Sequence, residues 1–113
     1  MAVVMITHDL GVIAAMCEEV ATMYRGQIVE FGSTEAVFYR HFHPYTEGLL
    51  RSIPVVSRER VKLKPIAGNV PPDLTSIAGC QFHPRCARFM VEKCLESQPL
   101  LEVDKSHFAR CCL

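Results

Sequence analysis

The chain has 113 residues and 12 side chains of each charge, so its formal net charge is zero. A balanced chain lacks the excess positive charge that binds phosphate backbones, and we expect no nucleic-acid partner. Half of the residues are hydrophobic, which is enough apolar surface for a packed core. No apolar run approaches the roughly 20 residues that cross a bilayer, and the first residues lack the basic region of a signal peptide. We therefore expect an intracellular chain.

The first half of the chain predicts an α/β order of elements. The apolar run at residues 2–6 favours a strand buried on both faces, as in a parallel sheet, and residues 10–16 have helical apolar spacing. Two strand-like segments, residues 20–24 and 27–31, flank a turn at Gly26, which predicts a hairpin. Because a doubly buried strand needs a neighbour on each side, we expect its neighbours to lie in chain outside this sequence.

Two short helices are predicted after the hairpin. Ser33 occupies an N-cap position before an apolar stretch at residues 35–39. Pro44 suits the first turn of a helix over residues 45–52. The order strand, helix, hairpin, helix, helix is that of an α/β fragment.

The composition divides the chain into three segments. Residues 1–53 carry the elements above. Residues 54–79 hold four prolines and two glycines, which predicts an extended linker. Residues 80–113 hold five of the six cysteines and few core-forming runs, so we expect an irregular cysteine-rich extension. Without an export signal thiols stay reduced, and such a cluster favours metal ligands over disulfides.

Residues 4–32 resemble the end of the ATPase domain of an ABC transporter. The match is carried by Ile-Thr-His-Asp at residues 6–9, the apolar strand before them and the hairpin at residues 24–32. The resemblance implies that His8 is the switch histidine, which contacts the γ-phosphate of ATP and orients the attacking water. An imidazole at the end of a parallel strand can donate to phosphoryl oxygens. Without this context, His8 would be a surface residue and Asp9 a helix N-cap.

Motifs that precede the switch histidine in this family are missing from the sequence. It has no Gly-x-x-x-x-Gly-Lys-Ser/Thr phosphate loop, no Leu-Ser-Gly-Gly-Gln signature and no apolar strand ending in Asp-Glu. The resemblance therefore implies a C-terminal fragment. We expect the fragment to be no enzyme by itself, whereas the intact subunit is an ATPase that uses ATP and Mg.

A second resemblance covers nearly the whole chain and is to the oligopeptide/dipeptide branch of ABC importers. It rests on His-Pro-Tyr-Thr at residues 43–46, on Ile66, Gly68 and Pro71, and on Gly-Cys-Gln-Phe-His-Pro-Arg-Cys at residues 79–86. It implies ATP-driven peptide uptake together with a second ATPase subunit or domain, transmembrane permease subunits and, indirectly, an extracytoplasmic peptide-binding protein. It also implies a cytoplasmic location, peripheral on the inner face of the cell membrane.

The cysteines that match this branch are Cys80, Cys86, Cys94 and Cys111. Their spacing is looser than the Cys-x2–4-Cys knuckles of zinc modules, and four thiolates from a long, loop-rich wrap suit an iron–sulfur cube. The resemblance implies the same cofactor, a 4Fe–4S cluster. Cys112 leaves the fourth ligand open. Adjacent side chains in an extended segment point in opposite directions, so we expect only one of Cys111 and Cys112 to face the cluster.

The residue types alone do not distinguish an iron–sulfur cluster from other states of these cysteines. The same four thiols could bind zinc, or could be metal-free as reduced cysteines or adventitious disulfides. The alternative function is a free-standing cysteine-rich metal-binding module unrelated to transport.

Side chains near the cysteines have expected supporting roles. Arg85 and Lys93 are expected to offset the thiolate charge, and Phe82 and Phe89 to limit solvent access. His83 and His107 could serve as nitrogen ligands, but we expect them at the surface or around the site. Cys17 is expected to be a small buried hydrophobe.

Overall fold

The computed structural model describes residues 1–53, 65–72 and 76–112. The elements in chain order are α1 (Leu10–Met16), β1 (Glu19–Tyr24), β2 (Gln27–Ser33), α2 (Thr34–Tyr39), α3 (Pro44–Arg51), a 3₁₀ turn (His83–Arg85), α4 (Val91–Cys94), β3 (Leu101–Asp104) and β4 (His107–Ala109). Within these residues, no helix has the length and hydrophobicity that crossing a bilayer requires.

The four strands form one antiparallel sheet in the order β1-β2-β4-β3. The predicted hairpin is confirmed as β1 and β2, and both turn residues, Arg25 and Gly26, have positive φ as a tight hairpin turn requires. Strand β4 continues the sheet by pairing Ala109 with Glu30 and Phe108 with Phe31. The end of the chain is therefore attached directly to the hairpin.

Both predicted helices after the hairpin are present. The Ser33 hydroxyl accepts a hydrogen bond from the Ala36 N–H at 3.1 Å, which caps α2 as expected. Helix α3 begins at Pro44, and its N-cap is His43 rather than a hydroxyl or carboxylate. The connection between these helices, residues 40–43, passes beside β2 and β4.

The strand predicted at residues 2–6 is not formed. These residues have no regular structure, and Val4 and Ile6 are almost fully exposed. The sheet that the described residues build is antiparallel and does not include them. An apolar run forms a strand only where neighbouring strands supply hydrogen-bond partners and cover both faces, and no described strand pairs with this segment.

Residues 80–113 are more regular than expected. They contain the 3₁₀ turn, α4 and the β3–β4 hairpin, whose turn includes Ser106 at φ 53°. Most of the predicted linker, residues 54–64 and 73–75, lies outside the described residues. Its described parts, residues 65–72 and 76–79, form neither helix nor strand. The three-segment division stays a prediction.

One aromatic core joins the hairpin to the cysteine-rich segment. Tyr24 and Val29 of the hairpin are buried against Phe82, and the Tyr24 and Phe82 rings meet edge to face with centroids 5.3 Å apart. Partly buried residues that pack on this core are Tyr45, Ile66, Cys80 and Cys86. Because Cys80 and Cys86 themselves pack on this core, it fixes their position relative to the hairpin.

Candidate functional site

Five cysteines line one small cleft. The residues that line it are His43, Pro44, Cys80, Phe82, His83, Cys86, Arg88, Cys94, Cys111 and Cys112. All four predicted ligands are in this set, and their role as ligands stays a prediction. Cys17 is not among these residues and lies at the end of α1.

Backbone hydrogen bonds bring the cysteines together. The Cys80 N–H donates to the Cys94 carbonyl at 2.9 Å, which ties the 3₁₀ turn to α4. Arg110 holds the following residues, Cys111 and Cys112, near the hairpin. Its backbone N–H donates to the Val29 carbonyl at 2.7 Å, and its Nε donates to the Ile28 carbonyl at 3.0 Å. The cleft is therefore built by the sheet as well as by the cysteine-rich segment.

The expectation that only one of Cys111 and Cys112 faces the site is wrong, since both line the cleft. The Sγ atoms of Cys94 and Cys112 are 3.4 Å apart, much longer than a disulfide bond of about 2.05 Å. Strand β4 ends at Ala109, so the alternation of a strand does not govern the two residues beyond it. Geometry leaves both thiols available as the fourth ligand.

Several cysteine sulfurs already accept backbone hydrogen bonds. The Arg88 N–H donates to Cys86 Sγ and the Met90 N–H donates to Cys94 Sγ, both at 3.4 Å. The Phe82 backbone makes a similar bond to the Cys80 thiol. Such bonds stabilise the thiolate form, which is the form that binds metals.

Without a cation, burial works against the thiolates. Burial raises the pKa of Cys80 and of Cys86, and repulsion from neighbouring cysteines adds to that effect. Burial, followed by the hydrogen bond to Cys94, raises the pKa of Cys112 to about 11. The raised pKa favours the protonated form of Cys80, Cys86 and Cys112, and a bound cation must displace any proton on a thiol that it binds.

The thiols of the cleft suit a cluster better than a single metal ion. Within residues 1–53, 65–72 and 76–112, no three Cys, His, Asp or Glu side chains are placed to hold one metal ion. Three of the four predicted ligand sulfurs, those of Cys80, Cys86 and Cys94, accept backbone N–H hydrogen bonds. Such bonds are typical of sulfur ligands in a cluster site, where the ligands bind different atoms of the cofactor.

Of the four expected supporting side chains, only Phe82 is among the residues that line the cleft. Phe82 is buried and lines the cleft as expected, but Phe89 is 40% exposed and stacks on His83 with centroids 5.1 Å apart. Arg85 turns away from the cleft, because its Nε donates to the Ala67 carbonyl at 3.2 Å and its guanidinium lies over Tyr24. Arg85 therefore packs on the core.

The positive charge at the cleft comes from a different residue. Arg88 lines the cleft and lowers the pKa of Cys86, although burial outweighs it. Lys93 is exposed and does not line the cleft. Arg88 therefore lies beside the thiols in place of the adjacent Arg85, and its guanidinium also pairs with Glu47 at 3.3 Å.

The sequence did not predict a buried carboxylate, Glu30, that lies next to the cleft residue His43. Glu30 is fully buried and accepts hydrogen bonds from the Phe42 N–H at 2.7 Å, the His43 N–H at 3.1 Å and His107 Nε2 at 2.7 Å. His107 is thus buried against Glu30, not at the surface. A charged residue within the apolar run of β2 is the signal that could have found it.

His43, the first residue of the motif at residues 43–46, has a structural role that the sequence did not predict. Its side chain is fully buried, lines the cleft and caps α3, since Nδ1 accepts a hydrogen bond from the Tyr45 N–H at 3.0 Å. Burial lowers the pKa of His43 to about 4, although the nearby Glu30 carboxylate acts in the opposite direction. The ring is therefore neutral at physiological pH.

The predicted switch histidine lies away from this cleft. His8 is exposed. Asp9 caps α1, because its Oδ1 accepts hydrogen bonds from the Gly11 N–H at 3.0 Å and the Val12 N–H at 3.2 Å. The catalytic role of His8 stays a prediction.

Gly79 is expected to be essential for closing the cleft. It has φ 69°, and a Cβ there would collide with backbone atoms of Cys94, Leu95 and Glu96. Gly79→Ala should lower the free energy of unfolding by about 2–4 kcal/mol, since strain and a backbone clash add together. Gly26→Ala is the matched control: its φ is 78° with open space around it, so strain alone should cost about 1–2 kcal/mol. Equal losses in urea unfolding would contradict the clash.

Comparison with known proteins identifies similar chains. Residues 29–94 match the family described as the oligopeptide/dipeptide transporter, C-terminal region. The oligopeptide transport ATP-binding protein AppD of Bacillus subtilis is 46% identical over 104 residues, which cover 92% of this chain and 31% of that protein. The oligopeptide transport ATP-binding protein OppD of Salmonella typhimurium is 41% identical over 110 residues, or 97% of this chain and 32% of that protein.

A dipeptide transporter component is similar to the same degree. The dipeptide transport ATP-binding protein DppD of Caldanaerobacter subterraneus is 42% identical over 96 residues, which cover 85% of this chain and 29% of that protein. The chain therefore spans about a third of the length of the curated relatives it matches.

Proposed function

Because the chain belongs to the family of oligopeptide/dipeptide transporter C-terminal regions, we propose that it is part of the ATP-binding subunit of a peptide ABC importer. The observation that carries this proposal is the family match over residues 29–94. Relatives named as oligopeptide and dipeptide transport ATP-binding proteins support it. The alternative of a free-standing metal-binding module lacks such support.

In the proposed importer, ATP and Mg bind to paired ATPase domains, and hydrolysis drives peptide uptake through permease subunits. An extracytoplasmic peptide-binding protein delivers the peptide, and this subunit lies in the cytoplasm against the inner face of the membrane. His8 is the switch histidine, whose ring N–H stabilises charge that develops on the γ-phosphate. Its exposure leaves it accessible to a nucleotide bound by the rest of the subunit.

The cysteine cleft is proposed to hold a 4Fe–4S cluster through Cys80, Cys86, Cys94 and Cys111. Five thiols around one cleft and N–H donors on their sulfurs support this assignment. Phe82 and Pro44 supply apolar walls, and Arg88 supplies a positive charge near the thiolates. Such a cluster supplies one-electron chemistry or a rigid cross-link between the four ligand segments.

Zinc is the weaker candidate for the same thiols. A structural zinc site places four ligands tetrahedrally at about 2.0–2.3 Å from one point. No three ligand-type side chains in the described part of the chain are placed for a single ion. The ligands of a cube bind different iron atoms, so a cluster does not require three ligands within reach of one ion.

The transport function is tested in the full-length subunit. In a bacterial strain that lacks its own peptide importer, the complete transporter should restore uptake of a radiolabelled peptide. His8→Ala should reduce that uptake at least about a hundredfold while ATP binding persists, because the lost interaction acts in the transition state. Lys105→Ala, at an exposed turn, is the control and should transport normally. Normal uptake by His8→Ala would contradict the assignment of His8, and failure of the wild type to restore uptake would contradict the function.

A further inference from the structure

One buried polar atom beside the cysteine cleft has no hydrogen-bond partner. His43 lines the cleft and is fully shielded from solvent. Its Nε2 is buried and unpaired with respect to the part of the chain that the structure describes. An unsatisfied buried polar group destabilises a fold, so such a group points to a missing partner.

The other ring nitrogen determines which atom carries the proton. Nδ1 of His43 accepts the Tyr45 N–H at 3.0 Å, so its lone pair is occupied. A neutral imidazole has one acceptor nitrogen and one donor nitrogen, so Nε2 carries the hydrogen. The ring offers the cleft a hydrogen-bond donor and is not a metal ligand.

The His43 ring is held in place by its backbone, by its cap on α3 and by Phe82. The His43 backbone N–H donates to Glu30 Oε2 at 3.1 Å, and the ring packs against Phe82 with centroids 5.8 Å apart. The cap on α3 fixes its rotation. A donor fixed in this way needs no rearrangement to meet a partner in the cleft.

We propose that the Nε2–H group of His43 donates a hydrogen bond to a sulfur atom of the cluster in the cleft and thereby raises its reduction potential. This inference rests on the cluster assignment made above. Thiolate and sulfide sulfurs accept N–H hydrogen bonds, and each bond favours the more negative, reduced cluster. Backbone N–H groups already reach Cys86 and Cys94, and His43 adds a side-chain donor to them.

Two substitutions separate the donor from the helix cap. His43→Asn keeps an acceptor near the position of Nδ1 and removes the Nε2 donor. His43→Gln places an amide N–H near the position of Nε2 and removes the cap. The midpoint potential of the cluster should fall in His43→Asn and stay near the wild-type value in His43→Gln, whereas His43→Gln should lose more thermal stability.

The expected shift corresponds to a change of about tenfold in the ratio of reduced to oxidised cluster, which is 59 mV for a one-electron couple. His41→Asn is the matched control, because this nearby histidine does not line the cleft, and it should leave the potential unchanged. Iron and sulfide are measured in every variant before titration. A wild-type protein without a cluster would overturn the cluster assignment and this inference together. A loaded His43→Asn variant with an unchanged potential, or an equal shift in both His43 variants, would overturn this inference alone.

A measurement without a substitution at His43 covers the case in which the variants do not fold. The reduced cluster in protein labelled with nitrogen-15 histidine should show a weak magnetic coupling to a ring nitrogen in pulsed EPR. His83 also lines the cleft, so the coupling is measured again in His83→Gln. A coupling that persists in His83→Gln supports the donor role of His43, and the absence of any histidine coupling contradicts it.

Discussion

Replacing Glu30 with alanine should lower the free energy of unfolding by about 3–5 kcal/mol. The carboxylate is fully buried and accepts hydrogen bonds from the backbone of Phe42 and His43 and from the His107 ring. Its removal leaves three donors without their acceptor and weakens the contacts of β2 with β4 and with the start of α3. Urea unfolding at neutral pH measures the loss.

Two further variants identify the cause. Glu30→Gln keeps the shape and one acceptor oxygen, so its loss should be intermediate. Glu19→Ala removes an exposed glutamate from the neighbouring strand and should change stability by no more than about 0.5 kcal/mol. A Glu30→Ala variant as stable as Glu19→Ala would contradict the structural role of the buried carboxylate.

Acidification should destabilise the metal-free, reduced chain through His43. Burial holds the pKa of His43 at about 4 in the fold, against 6.5 in the unfolded chain. The unfolded state therefore takes up the proton first, so this stabilisation is complete above pH 6.5 and is lost as the pH falls towards 4. The loss amounts to about 3 kcal/mol at the low end of that range.

The His43→Asn variant isolates this effect from the titration of carboxylates. Asparagine cannot titrate here and still provides an acceptor for the Tyr45 N–H. The stability difference between wild type and His43→Asn should be constant above pH 7 and should decrease by about 3 kcal/mol between pH 6.5 and 4. A difference that stays constant over that interval would show that His43 does not titrate in this way.

Turn and capping residues predicted the hairpin and the starts of the helices. The pairing of strands from distant parts of the chain was not predicted. Gly26, Ser33 and Pro44 act through their own backbone or side-chain chemistry, so their elements appear as expected. Residues 2–6 show the opposite case, because a buried strand depends on partners that local sequence does not specify. Strand β4 has three residues, too few for the alternation that identifies a strand.

The sequence predicted the cysteines of the site but not most of the residues around them. The four cysteines were found from their family positions, and the structure adds Cys112 to the same cleft. Arg88 lines the cleft and Arg85 does not, which depends on the path of the backbone through the 3₁₀ turn and is not evident from sequence spacing. The roles of Glu30 and His43 depend on contacts between segments far apart in the chain, so neither could be read from its neighbours alone.

Iron and acid-labile sulfide in the anaerobically purified chain test the account most directly. We expect about four of each per chain, with the visible absorption of a 4Fe–4S cluster. Cys94→Ser should lose both, because this buried thiol lies in the cleft, whereas Cys17→Ser should retain both because Cys17 does not line it. One zinc ion without sulfide, no metal after anaerobic reconstitution, or full loading of Cys94→Ser would contradict the assignment of the cleft.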